Sequence, residues 1–254
     1  MTPDQAEMLL RGLGLFHAKD VEEHFKIGSS MIGEEAMFDL ADHLNGEFEY
    51  SEDYLLEKGG EDPYFSIIHS TKYTIFKEEL LWLDKVLPEN ALIFDLGCNA
   101  GHMTALCAQM RVSCKFVGYD VIDLPLKKAN QIKIDLGLKN LSFEKFDIMN
   151  LRTDPKPDGI VSLQALGGYL DDADNIKKVC NLADKKAFII LIEAFVKEKG
   201  LKRILKVFEE EGFSLMVFDK ISCGSRRKIK MMPAILLARG FEDFPGIDIE
   251  TISL

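Results

Sequence analysis

From residue 91 onward the chain repeats one pattern, a short apolar run followed by a stretch with helical periodicity. The runs are Ala91–Leu96, Lys115–Tyr119, Leu141–Phe146, Gly159–Leu163 and Ala187–Ile192. The helical stretches are Gly101–Met110, Leu124–Leu136, Asp172–Ala183 and Lys197–Glu211. Short apolar runs alternating with helices predict a parallel sheet covered on both faces. The end departs from the pattern. Phe213–Ile221 and Met231–Ala238 are apolar strands separated only by Ser222–Lys230, a connection that favours an antiparallel pair. The expected fold class is α/β: a doubly wound seven-stranded sheet, mostly parallel, with an antiparallel terminal hairpin.

The first 90 residues have a different texture. Ala6, Leu9, Leu10 and Leu13 share one helical face, as do Met37, Leu40, Ala41 and Leu44. Tyr50–Ser70 reads as a loop broken by Gly59-Gly60 and Pro63. Thr71–Leu87 reads as a long amphipathic helix whose core face carries Ile75, Phe76, Leu80, Leu83 and Leu87. We therefore expect an N-terminal helical cap or lid over residues 1–90 and an α/β domain over 91–254. Charge divides at the same place, with 20 acidic and 7 basic residues in 1–90 against 22 and 24 in 91–254. That asymmetry fits a solvated helical surface or an acidic mouth for a cationic substrate. The formal net charge of −11 argues against a general binder of nucleic acid or anionic membrane.

No uncharged apolar run approaches a membrane span, and the start Met1-Thr2-Pro3-Asp4 lacks the basic and apolar regions of a signal peptide. Cys98, Cys107, Cys114, Cys180 and Cys223 are odd in number and contain no CxxC, so we expect reduced thiols in a cytoplasmic protein. The histidines His17, His24, His43, His69 and His102 form no ligand spacing, and no metal site is expected.

The most informative stretch is Asp95-Leu96-Gly97-Cys98-Asn99-Ala100-Gly101-His102. It leaves a strand, turns through two glycines and enters a helix. Glycines let the backbone pass close to a ligand, and the helix N-terminus offers free N–H groups. In open α/β sheets ligands sit at the carboxyl ends of the strands. The dinucleotide fingerprint GxGxxG fails at Asn99, and the P-loop pattern is absent. Asp95 at the strand end suits a ligand carrying positive charge rather than a pyrophosphate. Two further strands end in acids, Asp120 and Asp147.

The string Asp95–Gly101 resembles motif I of the class I S-adenosylmethionine-dependent methyltransferases. The order of elements over roughly residues 91–239 resembles that family too. The resemblance implies a Rossmann-like catalytic domain with S-adenosylmethionine as cofactor and S-adenosylhomocysteine as product. It implies that Gly97, Cys98, Asn99 and Gly101 back the methionine part, with Asp95 near its ammonium. Asp120 would accept the ribose hydroxyls. Asp147 with Ile148 would meet the adenine amino group, and Val121 or Ile122 would pack on the adenine face. His102 would line the cofactor rim, and Lys72 would reach the cofactor carboxylate. Gln164 stands in the family's position beside the methyl group.

Candidate catalytic residues at the expected mouth are Gln164, Tyr169, Glu193, Tyr73 and His69. His69 and Tyr73 read equally as packing or surface groups of the helical prefix, Tyr169 as a loop anchor, and Glu193 as a helix cap. The sequence after the fourth strand, Gln164–Asp171, lacks the proline-containing motif of enzymes that methylate adenine or glutamine amides. It resembles the apolar-rich loop of small-molecule methyltransferases. Cys180 lies too far along for a C5-pyrimidine nucleophile. Aminopropyl transferases resembling spermidine synthase carry a denser glycine loop. The expected activity is methyl transfer to a small-molecule acceptor. A protein or RNA methyltransferase, supported by the basic run Arg226–Lys230, and a non-catalytic binding protein are the alternatives. The sequence leaves the oligomeric state open.

Overall fold

The structure, a computed structural model, describes residues 1–45, 62–147, 150, 152–193, 198–224, 229–241 and 244. Two compact units make it up, Met1–Glu78 with Ser222–Lys230, and Glu79–Ile221 with Met231–Leu254.

The first unit is helical. Helix α1 (Pro3–Gly12) starts with a reciprocal cap: the Thr2 hydroxyl accepts from the Gln5 N–H, and the Gln5 carboxamide accepts from the Thr2 N–H at 2.8 Å. Helix α2 (Val21–Ile32) is capped by Asp20, whose carboxylate accepts from the Glu23 N–H at 2.8 Å. Helices α3 (Glu34–Asn45) and α4 (Asp62–Ser70) both pack on α2. Gly28 makes this approach possible, because a Cβ there would lie 2.5 Å from Met37 Sδ. Helix α4 corrects one expectation. Residues 62–70 were expected to be loop, yet Pro63 sits in the first turn of a helix, where its missing N–H has no partner to lose. Residues 46–61 lie outside the described residues. Helix α5 (Tyr73–Val86) follows, and the division between the units falls within it.

The second unit is built on seven strands: β1 (Leu92–Leu96), β2 (Lys115–Asp120), β3 (Leu141–Lys145), β4 (Gly159–Leu163), β5 (Ala187–Ile192), β6 (Ser214–Gly224) and β7 (Ile229–Arg239). Their order is β3-β2-β1-β4-β5-β7-β6. The pairs β1–β2, β1–β4, β2–β3 and β4–β5 are parallel, and β7 runs antiparallel to β5. This is the expected sheet, mostly parallel with an antiparallel hairpin end. Helices α6 (His102–Met110), α7 (Asp123–Asp135), α8 (Ala173–Leu182) and α9 (Glu198–Glu210) accompany it. Every residue of β5 is buried, as both-face coverage requires. Leu191, Ile204, Phe208, Ile235 and Leu237 belong to one continuous core.

The strand order reverses between β1 and β4, so the crevice beyond their carboxyl ends is the place for a ligand. The opposite end is closed by Arg239. Its guanidinium donates to the carbonyl oxygens of Cys180, Ala183, Asp184 and Glu211 and lies 4.4 Å from the centre of the Phe213 ring.

Candidate functional site

The loop between β1 and α6 is tied to the end of β2. The N–H groups of Gly97 and Cys98 both donate to the Tyr119 carbonyl, at 2.8 and 3.0 Å. Gly97, Asn99 and Gly101 have φ of 80°, 49° and 71°. A Cβ on Gly97 would lie 2.3 Å from Ala165 Cβ, so the loop also abuts the segment after β4. The Asn99 carboxamide accepts from the Ala100 N–H at 2.6 Å, which supports its own left-handed backbone.

Asp120 ends β2 and is buried. One carboxylate oxygen accepts from the Asn99 N–H at 2.8 Å and the other from the Ile122 N–H at 3.1 Å. A carboxylate has about four lone-pair sites, so these two bonds leave capacity for two further donors. Val121 is half exposed beside it, and Ile122 is partly buried. Asp147 is exposed beyond β3 and accepts from the Asn150 carboxamide at 2.6 Å. Ile148 lies outside the described residues.

Asp95 is buried within β1 and accepts from the Thr104 hydroxyl at 2.5 Å. Burial pushes its pKa up to about 7. The Thr104 hydrogen bond opposes that shift, and the charges of Asp120 and Glu193 add to it. The unfolded carboxyl sheds its proton near the ordinary 3.8, so folding takes up a proton between about pH 4 and 7 and stability falls as pH rises through that window. Replacing Asp95 by Asn is therefore expected to raise the melting temperature at pH 8 by several degrees more than at pH 5, at roughly 2–4 °C per kcal/mol. Thermal unfolding of both proteins at the two pH values checks this, and an equal difference at both would refute it. The Cys98 and Cys107 thiols are pushed upward, mainly by burial, and are poor nucleophiles at neutral pH.

Glu193 follows β5 and is 1% exposed. One oxygen accepts from the Ser162 hydroxyl at 2.6 Å and from the Ala165 and Leu166 N–H groups, while the other accepts from the Gly167 N–H at 3.1 Å. Burial raises its pKa against these four donors. The carboxylate is thus built into the segment after β4. Gln164 opens that segment with φ of 60°, and its N–H donates to the Ile192 carbonyl at 2.8 Å. Its carboxamide donates to the Glu79 carboxylate at 2.7 Å. Tyr169 is half exposed in the 3-10 turn Tyr169–Asp171. His102 is buried at the start of α6.

The second unit thus brings together Asp95, Gly97, Asn99, Asp120, Gln164 and Glu193 through shared elements and bonds. Three candidates lie in the helical unit. His69 is buried and its Nδ1 bonds the Phe65 carbonyl at 2.9 Å. Tyr73 is 2% exposed and its hydroxyl donates to the Glu7 carbonyl at 3.4 Å. Lys72 is exposed. Arg226, Arg227 and Lys228 lie outside the described residues. Sequence reading missed Thr104, Ser162 and above all Glu79. The signal for Glu79 is its position four residues after Ile75 and four before Leu83, on the apolar face of α5.

A family described as a methyltransferase domain matches residues 88–228. No curated protein matches. Among solved structures, a magnesium protoporphyrin IX methyltransferase from Synechocystis PCC 6803 with bound SAM is 19% identical with a TM-score of 0.52, covering 85% of this chain and 97% of its own. A SAM-dependent methyltransferase from Aquifex aeolicus is 16% identical with a TM-score of 0.51, covering 63% and 88%. The [4+2]-cyclase SpnF is 12% identical with a TM-score of 0.54, covering 66% and 82%. At these identities the likeness concerns the fold, which hosts more than one chemistry. Among the described residues no helix is long and apolar enough to cross a membrane.

Proposed function

The chain belongs to the methyltransferase-domain family, and we propose that it is a class I S-adenosylmethionine-dependent enzyme that methylates a small-molecule acceptor by direct in-line transfer. The observation that carries the cofactor reading is Asp120. Its carboxylate ends β2 beside the Gly97–Gly101 loop, is bonded by two backbone N–H groups, and keeps capacity for the two hydroxyls of a ribose. The donor set fits that group, whereas a pyrophosphate would meet the buried carboxyls of Asp95 and Asp120.

In this reading the Gly97–Gly101 loop backs the methionine part, and Asp95 lies near its ammonium. Asp147 with Ile148 meets the adenine amino group, Val121 or Ile122 packs on the adenine face, and His102 lines the rim. S-adenosylmethionine, when bound, supplies a methyl already activated by its sulfonium. The protein's task is then alignment and exclusion of water, with a general base optional. Gln164 and Tyr169 face the acceptor. Glu193 acts as a positioning residue, because its four bonds hold the segment that carries them. His69 and Tyr73, engaged within the helical unit, and Lys72 form no part of this proposal. The small-molecule reading is supported by the proline-free segment Gln164–Asp171 and by the net charge of −11, which disfavours RNA.

Calorimetric titration tests the cofactor. We expect micromolar binding of S-adenosylmethionine and S-adenosylhomocysteine and none of NAD; binding of NAD alone, or of none of the three, would overturn the reading. Methyl transfer into a lysate fractionated by size then tests the acceptor class, with label expected in the low-molecular-weight fraction.

A further inference from the structure

We propose that Glu79 fixes which end of the Gln164 carboxamide faces the methyl acceptor, so that the acceptor subsite selects molecules presenting an O–H or N–H donor. The inference rests on the S-adenosylmethionine reading, which puts Gln164 beside the transferred methyl.

Glu79 is 0% exposed, on the helix that enters the sheet unit. The Gln164 Nε2 donates to Glu79 Oε1 at 2.7 Å. Glu79 Oε1 is the acceptor in this bond, so it holds the NH2 end of the carboxamide toward itself. The Gln164 oxygen accepts no hydrogen bond among the described residues. That oxygen is the end left to meet a substrate.

The carboxamide has little freedom to turn over. The Gln164 backbone, at φ of 60°, is held by the Ile192 carbonyl, and the three following N–H groups are held by Glu193. Two buried carboxylates, from α5 and from the end of β5, therefore fix residues 164–167 by side chain and by main chain. An acceptor with an O–H or N–H satisfies the remaining oxygen. A carboxylate acceptor would set lone pair against lone pair, beside a segment already bonded to the buried carboxyl groups of Glu79 and Glu193. A site built to receive a donor rejects an analogue without one more strongly than a merely apolar pocket can.

The test uses the full chain labelled with nitrogen-15, with the Gln164 side-chain NH2 resonances assigned by their absence from Gln164→Met. Phenol and benzoate serve as probes, matched in size and differing in the donor, each titrated with S-adenosylhomocysteine present. Phenol is expected to shift the Gln164 resonances and to bind at least about tenfold tighter than benzoate, the scale of one hydrogen bond. Glu79→Gln keeps the side-chain volume but accepts either carboxamide orientation, so the preference is expected to fall below about threefold. Glu79→Ala is expected to speed solvent exchange of the Gln164 NH2 by about tenfold or more. Equal binding of the probes, no response of Gln164 to either, or an unchanged preference in Glu79→Gln would overturn the inference while leaving the cofactor reading intact. Failure to bind S-adenosylhomocysteine would overturn the cofactor reading, and this inference with it.

Discussion

Gly101→Ala is expected to destabilise the protein by about 2–5 kcal/mol, the sum of left-handed backbone strain and overpacking. Gly101 has φ of 71° and caps α6. A Cβ there would lie 2.5 Å from Phe143 Cζ and 2.7 Å from Ala129 Cβ. The Phe143 ring also fills the space over Gly118, where a Cβ would come within 2.6 Å of it. Two glycines on neighbouring elements thus make one slot for one ring. Gly137→Ala is the control, since Gly137 has φ of 63° with nothing within 4 Å of its added Cβ. It should lose only the backbone share, about 1–2 kcal/mol. Urea unfolding of both variants checks the pair, and equal losses would show that the slot is not tight.

Asp120→Ala is expected to weaken S-adenosylhomocysteine binding by about 3–5 kcal/mol, a loss of at least roughly 100-fold, as two charge-assisted hydrogen bonds disappear. The same change frees the Asn99 and Ile122 N–H groups, so part of the loss comes from a loosened loop. Asp120→Asn separates the two contributions. Its carbonyl oxygen still accepts from one of those N–H groups, but its NH2 end cannot accept from a hydroxyl. Calorimetry should place it between the wild type and the alanine variant. Unchanged affinity in Asp120→Ala would remove the ribose assignment.

The strands were legible because burial on both faces writes itself as unbroken apolar runs; β4 and β5 begin and end where those runs do. The glycine loop was legible because its backbone conformation and close contacts demand glycine at 97 and 101. Helix α4 was not, because Pro63 stops a helix in its interior yet suits its first turn, and local sequence does not say which applies. Glu79 was hidden by its charge. A glutamate on an amphipathic helix ordinarily marks the wet face, and only the partner 85 residues along the chain explains this buried one. Glu193 was legible as a strand-end acid. Its engagement by four donors was not, since three of them are backbone groups that any residue supplies.

The placement of β7 between β5 and β6 has a consequence during synthesis. On the ribosome β5 emerges well before the strand that covers its outer edge, and β6, which appears sooner, pairs elsewhere. At about 5–20 residues per second the wait for Arg239 is roughly 2–10 s. For that interval the nascent chain carries an open edge on Ala187-Phe188-Ile189-Ile190-Leu191-Ile192, six residues without a charge or proline to deter pairing with another chain. A chain stalled or cut before residue 229 would keep that edge permanently, so prematurely terminated products of this protein should be recovered as aggregates rather than as folded fragments.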